Sequence, residues 1–130
     1  MKIIAFGLLL IALVMQAGAA RAVELSDYEA AFFKDGLCAG EYVKLGKGEY
    51  PAFSSLANPG KAGAPKEDWN DKVSCIQLGS KAKVMVYEHN NFKGAGKTLQ
   101  WTGKNKGKIS FAGSNWNART SSAKVLSNSN

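Results

Sequence analysis

The chain is 130 residues long and carries a formal net charge of +7, which leaves room for one modest domain and no second core. Two cysteines without a Cys-x-x-Cys spacing, and a single histidine, His89, exclude a thiol metal site, a histidine cluster and a two-histidine acid–base pair. The lysines are spread along the chain with no arginine-rich or aromatic-interleaved stripe. The balance therefore gives no specific nucleic-acid signal, though it favours anionic surfaces.

Lys2, the nearly unbroken apolar run Ile3–Met15 and the small-x-small triplet Ala20-Arg21-Ala22 form the pattern of a secretory signal peptide, residues 1–22. Cleavage is expected after Ala22, with the bond after Ala19 as the alternative. The run is too short and wrongly flanked for a membrane span, and no other segment could serve as a transmembrane segment. A secreted protein, extracellular or periplasmic, is predicted. Loss of Lys2 and Arg21 leaves 7 − 2 = +5 for the mature form.

Residues 23–37 form an N-terminal segment of their own. Ser26-Asp27-Tyr28-Glu29 has the form of a capping box, Ala30 to Phe33 follow, and Gly36 is a natural stop. A short N-terminal helix from Asp27 to Asp35 is predicted, its Phe32 and Phe33 covering one end of the core. In an oxidising compartment Cys38 and Cys75 read as a disulfide. Closing that loop stabilises the fold by roughly 3–4 kcal/mol in the chain-entropy model.

Further along, Ala57 to Pro65 is a loop by its Gly, Pro and Ala content. Strands are predicted over Val73–Leu78, Ala82–Glu88, Lys97–Trp101, Lys108–Phe111 and Ser121–Leu126. Short strands at this spacing, with glycine-rich turns, give an all-β sandwich. Within Lys83–Gly94, Val84 and Val86 alternate with Met85 and Tyr87, and Glu88 to Asn91 turn the chain. Phe92 then restores an apolar anchor, and Gly94 permits a backbone that a Cβ would forbid.

An aromatic, four residues, an aromatic, one residue and a glycine resembles the Greek key hairpin of the βγ-crystallin family. Trp116-Asn-Ala-Arg-Thr-Ser-Ser122 closes this unit, and Trp69-Asn-Asp-Lys-Val-Ser-Cys75 closes a preceding one. In that first copy Leu45, Tyr50 and Ala52 are expected at the places of Tyr87, Phe92 and Gly94, with Gly46-Lys-Gly48 as the turn. The resemblance implies a Greek key β-sandwich of two four-stranded sheets over residues 38–126. Motif one would span 38–79 and motif two 80–126, with 127–130 as a polar tail.

Calcium-binding members of the family resemble one another in a pattern of two Asn/Asp, any two residues, Ser/Thr and Ser. Asn70 to Cys75 matches it except at Cys75, and Asn117 to Ser122 matches it except at Ala118. Carried over by position, the resemblance implies backbone carbonyls from Lys72, Arg119 and Glu88, hydroxyls from Ser74 and Ser121, and side chains from Asn70, Asp71 and Asn117. A hard cation takes such oxygens, carbonyls and water included. Asp71 is the one carboxylate within the two patterns. Weak calcium binding is therefore expected, at one site, in the roughly 10⁻⁴–10⁻³ M range of extracellular modules.

No nucleophile elbow surrounds any serine, and the Glu88–His89 pair lies in a hairpin turn, so an enzyme is not predicted. Two other roles share the resemblance. One is a secreted inhibitor of an extracellular peptidase, using the loop Ala57–Lys66. The other is a cationic killer-toxin-like protein that meets an anionic cell-surface component through Lys104, Lys106 and Lys108.

Overall fold

The computed structural model describes residues 23–56 and 66–128. The expected signal peptide, residues 57–65 of the loop, and the last two residues of the tail lie outside these.

Among the described residues, eight strands form two four-stranded antiparallel sheets. They are β1 (Ala30–Phe33), β2 (Tyr42–Leu45), β3 (Gly48–Tyr50), β4 (Cys75–Leu78), β5 (Ala82–His89), β6 (Lys93–Gln100), β7 (Lys108–Ser110) and β8 (Ser122–Ser127). One sheet runs β2-β1-β4-β7 and the other β3-β8-β5-β6. Each sheet thus takes three strands from one half of the chain and its fourth from the other, β7 in the first sheet and β3 in the second, each the third strand of the half that lends it. That exchange interlocks two Greek keys into one sandwich. The core between the sheets is built from Phe32, Val43, Leu45, Phe53, Trp69, Ile76, Leu78, Val84, Val86, Phe111 and Val125, all buried.

The segment expected to be a helix from Asp27 to Asp35 holds strand β1 instead. The local start is present: the Ser26 N–H donates to Glu29 Oε1 at 2.8 Å, and the Glu29 N–H to the Ser26 carbonyl at 3.2 Å. Yet these contacts close one turn, after which the chain extends. Tertiary pairing decides the matter, because β1 bonds β2 on one side and β4 on the other. Both of its faces are covered. Ala30 and Phe32 enter the main core, while Ala31 and Phe33 join Cys38 and Cys75 under Val23 and Leu25. A strand buried on both faces loses its polar alternation, and in sequence it resembles a buried helix.

The repeat also registers differently from the expectation. Leu45 lies on β2 in one sheet and Tyr50 on β3 in the other, so they do not match Tyr87 and Phe92. Tyr50 closes the β2–β3 turn, its hydroxyl donating to the Gly46 carbonyl at 2.7 Å. The matching hairpin is Phe33, Cys38 and Gly40, with the same five- and two-residue steps as Tyr87, Phe92 and Gly94 (87 − 33 = 92 − 38 = 94 − 40 = 54). Backbone geometry agrees: Cys38 and Phe92 have φ of 54° and 62°, and Gly40 and Gly94 have 74° and 79°. Strand register agrees as well, Ala30 opposing Leu45 as Val84 opposes Leu99.

Cys38 and Cys75 are disulfide-bonded, with Cα atoms 5.1 Å apart. In the second half the corresponding positions are Phe92 and Ser122, where Ser122 Oγ accepts the Phe92 N–H at 3.0 Å and donates to the His89 carbonyl at 2.6 Å. One hairpin is therefore pinned by a covalent bond and the other by a serine hydroxyl.

Candidate functional site

The two patterned loops lie side by side and bond each other reciprocally. The Asp71 N–H donates to the Thr120 carbonyl at 3.1 Å, and the Ala118 N–H to the Val73 carbonyl at 3.0 Å. The Ser74 N–H reaches the Phe33 carbonyl at 2.8 Å, and the Ser121 N–H reaches that of Tyr87 at 2.9 Å. These bonds are related by a pseudo-twofold axis, each residue after the tryptophans being matched by one 47 positions on (118 − 71 = 120 − 73 = 121 − 74 = 47). Asp71 and Ala118 share the left-handed backbone, with φ of 56° and 57°. That conformation is common for Asp and Asn and costly for Ala.

An open cavity of about 540 Å³ forms where the motif-one loop meets the motif-two hairpin, lined by Asn70, Asp71, Glu88, Ala118, Arg119 and Ser121 among others. Asp71 comes from one half of the chain and Ser121 from the other. The Ser121 hydroxyl stands 3.4 Å from Asp71 Oδ1. Ser121 is buried and Asp71 exposed, so the pair faces solvent on the Asp71 side only.

Glu88 closes the rim. Its Oε1 accepts the Ala95 N–H at 3.2 Å, and its Oε2 takes the Arg119 Nη2. The Ala95 N–H foremost holds this carboxyl below the usual carboxylate range; desolvation, next in size, opposes it, and the charges of Arg119 and His89 add to the lowering. His89 Nε2 lies 3.5 Å from Glu88 Oε1 and is itself exposed. Arg119 is held a second time, its Nη1 donating to the Asn115 carbonyl at 3.1 Å. Lys72 repeats this contact, its Nζ reaching the Asp68 carbonyl at 3.2 Å (115 − 68 = 47).

Of the residues predicted from sequence, Asn70, Asp71, Glu88, Arg119 and Ser121 line one cavity, and Lys72, Ser74 and Asn117 do not. Those three belong to the loop geometry on the other side of the axis. There Ala118 stands in the place of Asp71, and Lys34 in the place of Glu88 (88 − 34 = 54). The Lys34 ammonium pairs with Glu41 at 2.8 Å and lies 4.9 Å from the centre of the Trp69 ring. Sequence reasoning missed Lys34 because the strand that leads into it, and Lys34 with it, was read as a helix. The step from Phe33 to Cys38 to Gly40 was the signal that could have found it.

The donor set at the Asp71 cavity fits a hard cation: the Asp71 carboxylate, the Ser121 hydroxyl, and a second carboxylate, Glu88, already paired with Arg119, with Glu88 and Arg119 lining the cavity so that their backbone carbonyls can add oxygens. Among the described residues no three His, Cys, Asp or Glu side chains gather at one point. Carbonyl, hydroxyl and water oxygens must therefore dominate any such site. The opposite side, with a methyl group and an ammonium in the matching places, does not fit.

A family model, Beta/Gamma crystallin, matches residues 26–113. No curated protein matches the sequence. Among solved structures, the chain is similar to a βγ-crystallin domain from Clostridium beijerinckii at 26% identity (TM-score 0.52; 75% of this chain, 95% of that one). It is similar to one from Flavobacterium johnsoniae at 24% (TM-score 0.56; 80% and 99%). A third likeness is to a domain of the Abundant Perithecial Protein from Neurospora crassa, solved in its Ca2+-bound form, at 16% (TM-score 0.56; 83% and 98%). At the two lower identities the likeness speaks for the fold alone. Exchanged third strands, paired tryptophan loops and a family match over most of the chain lead to one conclusion: the chain belongs to the beta/gamma-crystallin family.

Proposed function

We propose that the protein is an exported βγ-crystallin domain that acts by binding rather than catalysis, and that it holds one hard divalent cation, calcium, weakly at the Asp71 cavity. The observation that carries this reading is the meeting of Asp71 and Ser121, an acidic and a hydroxyl oxygen from opposite halves of the chain, 3.4 Å apart on a cavity wall. Residues 1–22 support export by their pattern alone. The calcium seen in the Neurospora domain is a property of that protein. It makes the same chemistry worth testing here, while the oxygens of this chain are the argument.

Asp71 and Ser121 would hold the ion by side chain, and Glu88 and Arg119 by backbone carbonyl. The ion supplies a positive charge that draws the two loops together. Asp71 provides the net negative charge. At the same rim the Arg119 guanidinium neutralises the second carboxylate, Glu88, and this favours a weak site. Binding to the folded state alone stabilises it by RT ln(1 + [L]/Kd), about 1.4 kcal/mol at ten times Kd.

Isothermal titration with calcium is expected to show one site in the roughly 10⁻⁴–10⁻³ M range, with thermal stability rising as calcium is added. Asp71→Ala removes the side-chain oxygens at a left-handed position where the matching loop already carries Ala118, and is expected to abolish the signal. Two equal sites in the parent, or binding that survives Asp71→Ala, would overturn the assignment.

A further inference from the structure

The β1–β2 hairpin holds an apolar side chain out of the molecule. Leu37 is 80% exposed, whereas the next most exposed large hydrophobics, Tyr42 and Tyr28, are at 40% and 38%. Its tip is fixed. Asp35 Oδ1 accepts the Leu37 N–H at 3.1 Å, and the Cys38 N–H donates to the Asp35 carbonyl at 3.2 Å. The neighbouring Cys38 is bonded to Cys75 on the interior strand β4. At the matching place in the second hairpin the chain has Asn91 (91 − 37 = 54), so the fold does not require a leucine here.

Lys106 and Lys108 share a surface cavity with Leu37, and among the described residues no Asp or Glu lines it. The acid nearest in sequence, Asp35, has its carboxylate engaged by the hairpin backbone. Neither lysine has a carboxylate partner among the described residues. The lysine loop is also shaped rather than slack. Asn105, Lys106 and Gly107 are left-handed at φ 50°, 53° and 79°, and Gln77 Nε2 donates to the Lys106 carbonyl at 3.3 Å.

We propose that the outer face of the β2-β1-β4-β7 sheet, where these residues share that cavity, docks on an anionic lipid bilayer, Leu37 entering the acyl boundary while Lys106 and Lys108 meet the phosphates. Charge complementarity selects the occupant: an apolar knob beside unpaired ammonium groups, on a chain of net charge +5 once residues 1–22 are removed, matches a negative leaflet with an apolar interior. A specific protein partner needs about 1,000 Å² of fitted interface, and one leucine with two lysines is far from that. A fluid leaflet demands no fitted shape. Insertion of one apolar side chain plus a few cations gives weak, reversible, salt-sensitive attachment.

The test is co-sedimentation of the full chain, as exported by the expressing cell, with two vesicle types. One is phosphatidylcholine alone, and the other has roughly a third phosphatidylglycerol. Binding is expected only to the anionic vesicles, falling as salt is raised. Leu37→Ser should weaken it at least about tenfold. Lys106→Gln with Lys108→Gln should weaken it by roughly 25-fold, about fivefold per lysine. Lys83→Gln with Lys97→Gln, on the other sheet, should leave it within about twofold. Thermal melts matching the parent show that each variant is folded. Absence of binding to anionic vesicles would overturn the proposal, as would Leu37→Ser binding like the parent. Equal loss from the Lys83 and Lys97 pair would also overturn it, leaving net charge as the cause. Self-association that Leu37→Ser abolishes, without vesicle binding, would assign the knob to a second copy of the chain and overturn it too.

Discussion

At the scale of single residues, the pseudo-twofold axis works as an internal control, because each position in one loop has a counterpart in the other. Thr120 is fully buried, and its hydroxyl has no hydrogen-bond partner among the described residues. Its counterpart Val73 (120 − 73 = 47) is equally buried, with a methyl group where Thr120 has its hydroxyl. An unmet buried hydroxyl costs about 1–3 kcal/mol. Thr120→Val should therefore raise stability in chemical denaturation by about 1 kcal/mol, and a loss of stability would show that the hydroxyl is bonded in solution. Glu88 makes a different prediction, with a definite sign. Its folded pKa lies below the unfolded one, chiefly through the Ala95 N–H and then through Arg119 and His89. The stability it contributes is thus complete above the unfolded value of about 4.3 and is lost as the pH falls through the folded value. Glu88→Gln should reduce stability at neutral pH and flatten its decline below about pH 4, when melting temperature is followed against pH. An unchanged acid limb would mean that other carboxylates carry it.

At the scale of elements, the two hairpins show how one backbone shape is secured by different chemistry. Cys38–Cys75 stands where the Phe92 N–H and the Ser122 hydroxyl meet. The disulfide closes a sequence separation of 37 and also seals the small cluster of Ala31 and Phe33 beneath Val23 and Leu25. Replacing both cysteines by serine should cost roughly 3–4 kcal/mol if chain entropy dominates. If the serine pair recreates a hydroxyl clamp like that of Ser122, the loss should be smaller. Denaturation midpoints at constant m-value distinguish the two. The disulfide was legible in the sequence because two thiols allow one pairing. So were β5, β7 and β8, by alternation and turn residues. Strand β1 was not. Ser26 and Glu29 make the contacts of a helix start, and Ala30 to Phe33 carry no polar residue to betray a strand. What makes Ala30–Phe33 a strand is pairing with Tyr42–Leu45 and Cys75–Leu78, information that no local window holds.

At the scale of the molecule, the family resemblance was carried by the second half, where the Tyr87–Phe92 hairpin keeps both rings, 5.7 Å apart at 69°. The first half carries the same hairpin with a cysteine in place of the second ring, and Leu45–Tyr50 mimics its five-residue step without its backbone geometry. With the register corrected, the difference between the two loops becomes larger than sequence alone suggested. The Asp71 side has a carboxylate from the opposite motif and Glu88 in the hairpin. The other side lacks the first at Ala118 and has a cation, Lys34, in place of the second. Ala118→Asp should fit its position, since that backbone is left-handed at φ 57° and the site is exposed. By itself it supplies a carboxylate but leaves the Lys34 ammonium nearby, where like charge opposes an incoming cation. Ala118→Asp combined with Lys34→Glu removes both obstacles. Calcium titration should therefore give a stoichiometry near one for the parent, a weak second phase for Ala118→Asp, and two resolvable sites for the double variant. If the double variant still binds one ion with parental affinity, the pseudo-twofold relation does not extend to cation chemistry, and the asymmetry lies in the loop backbones rather than in residues 34 and 118.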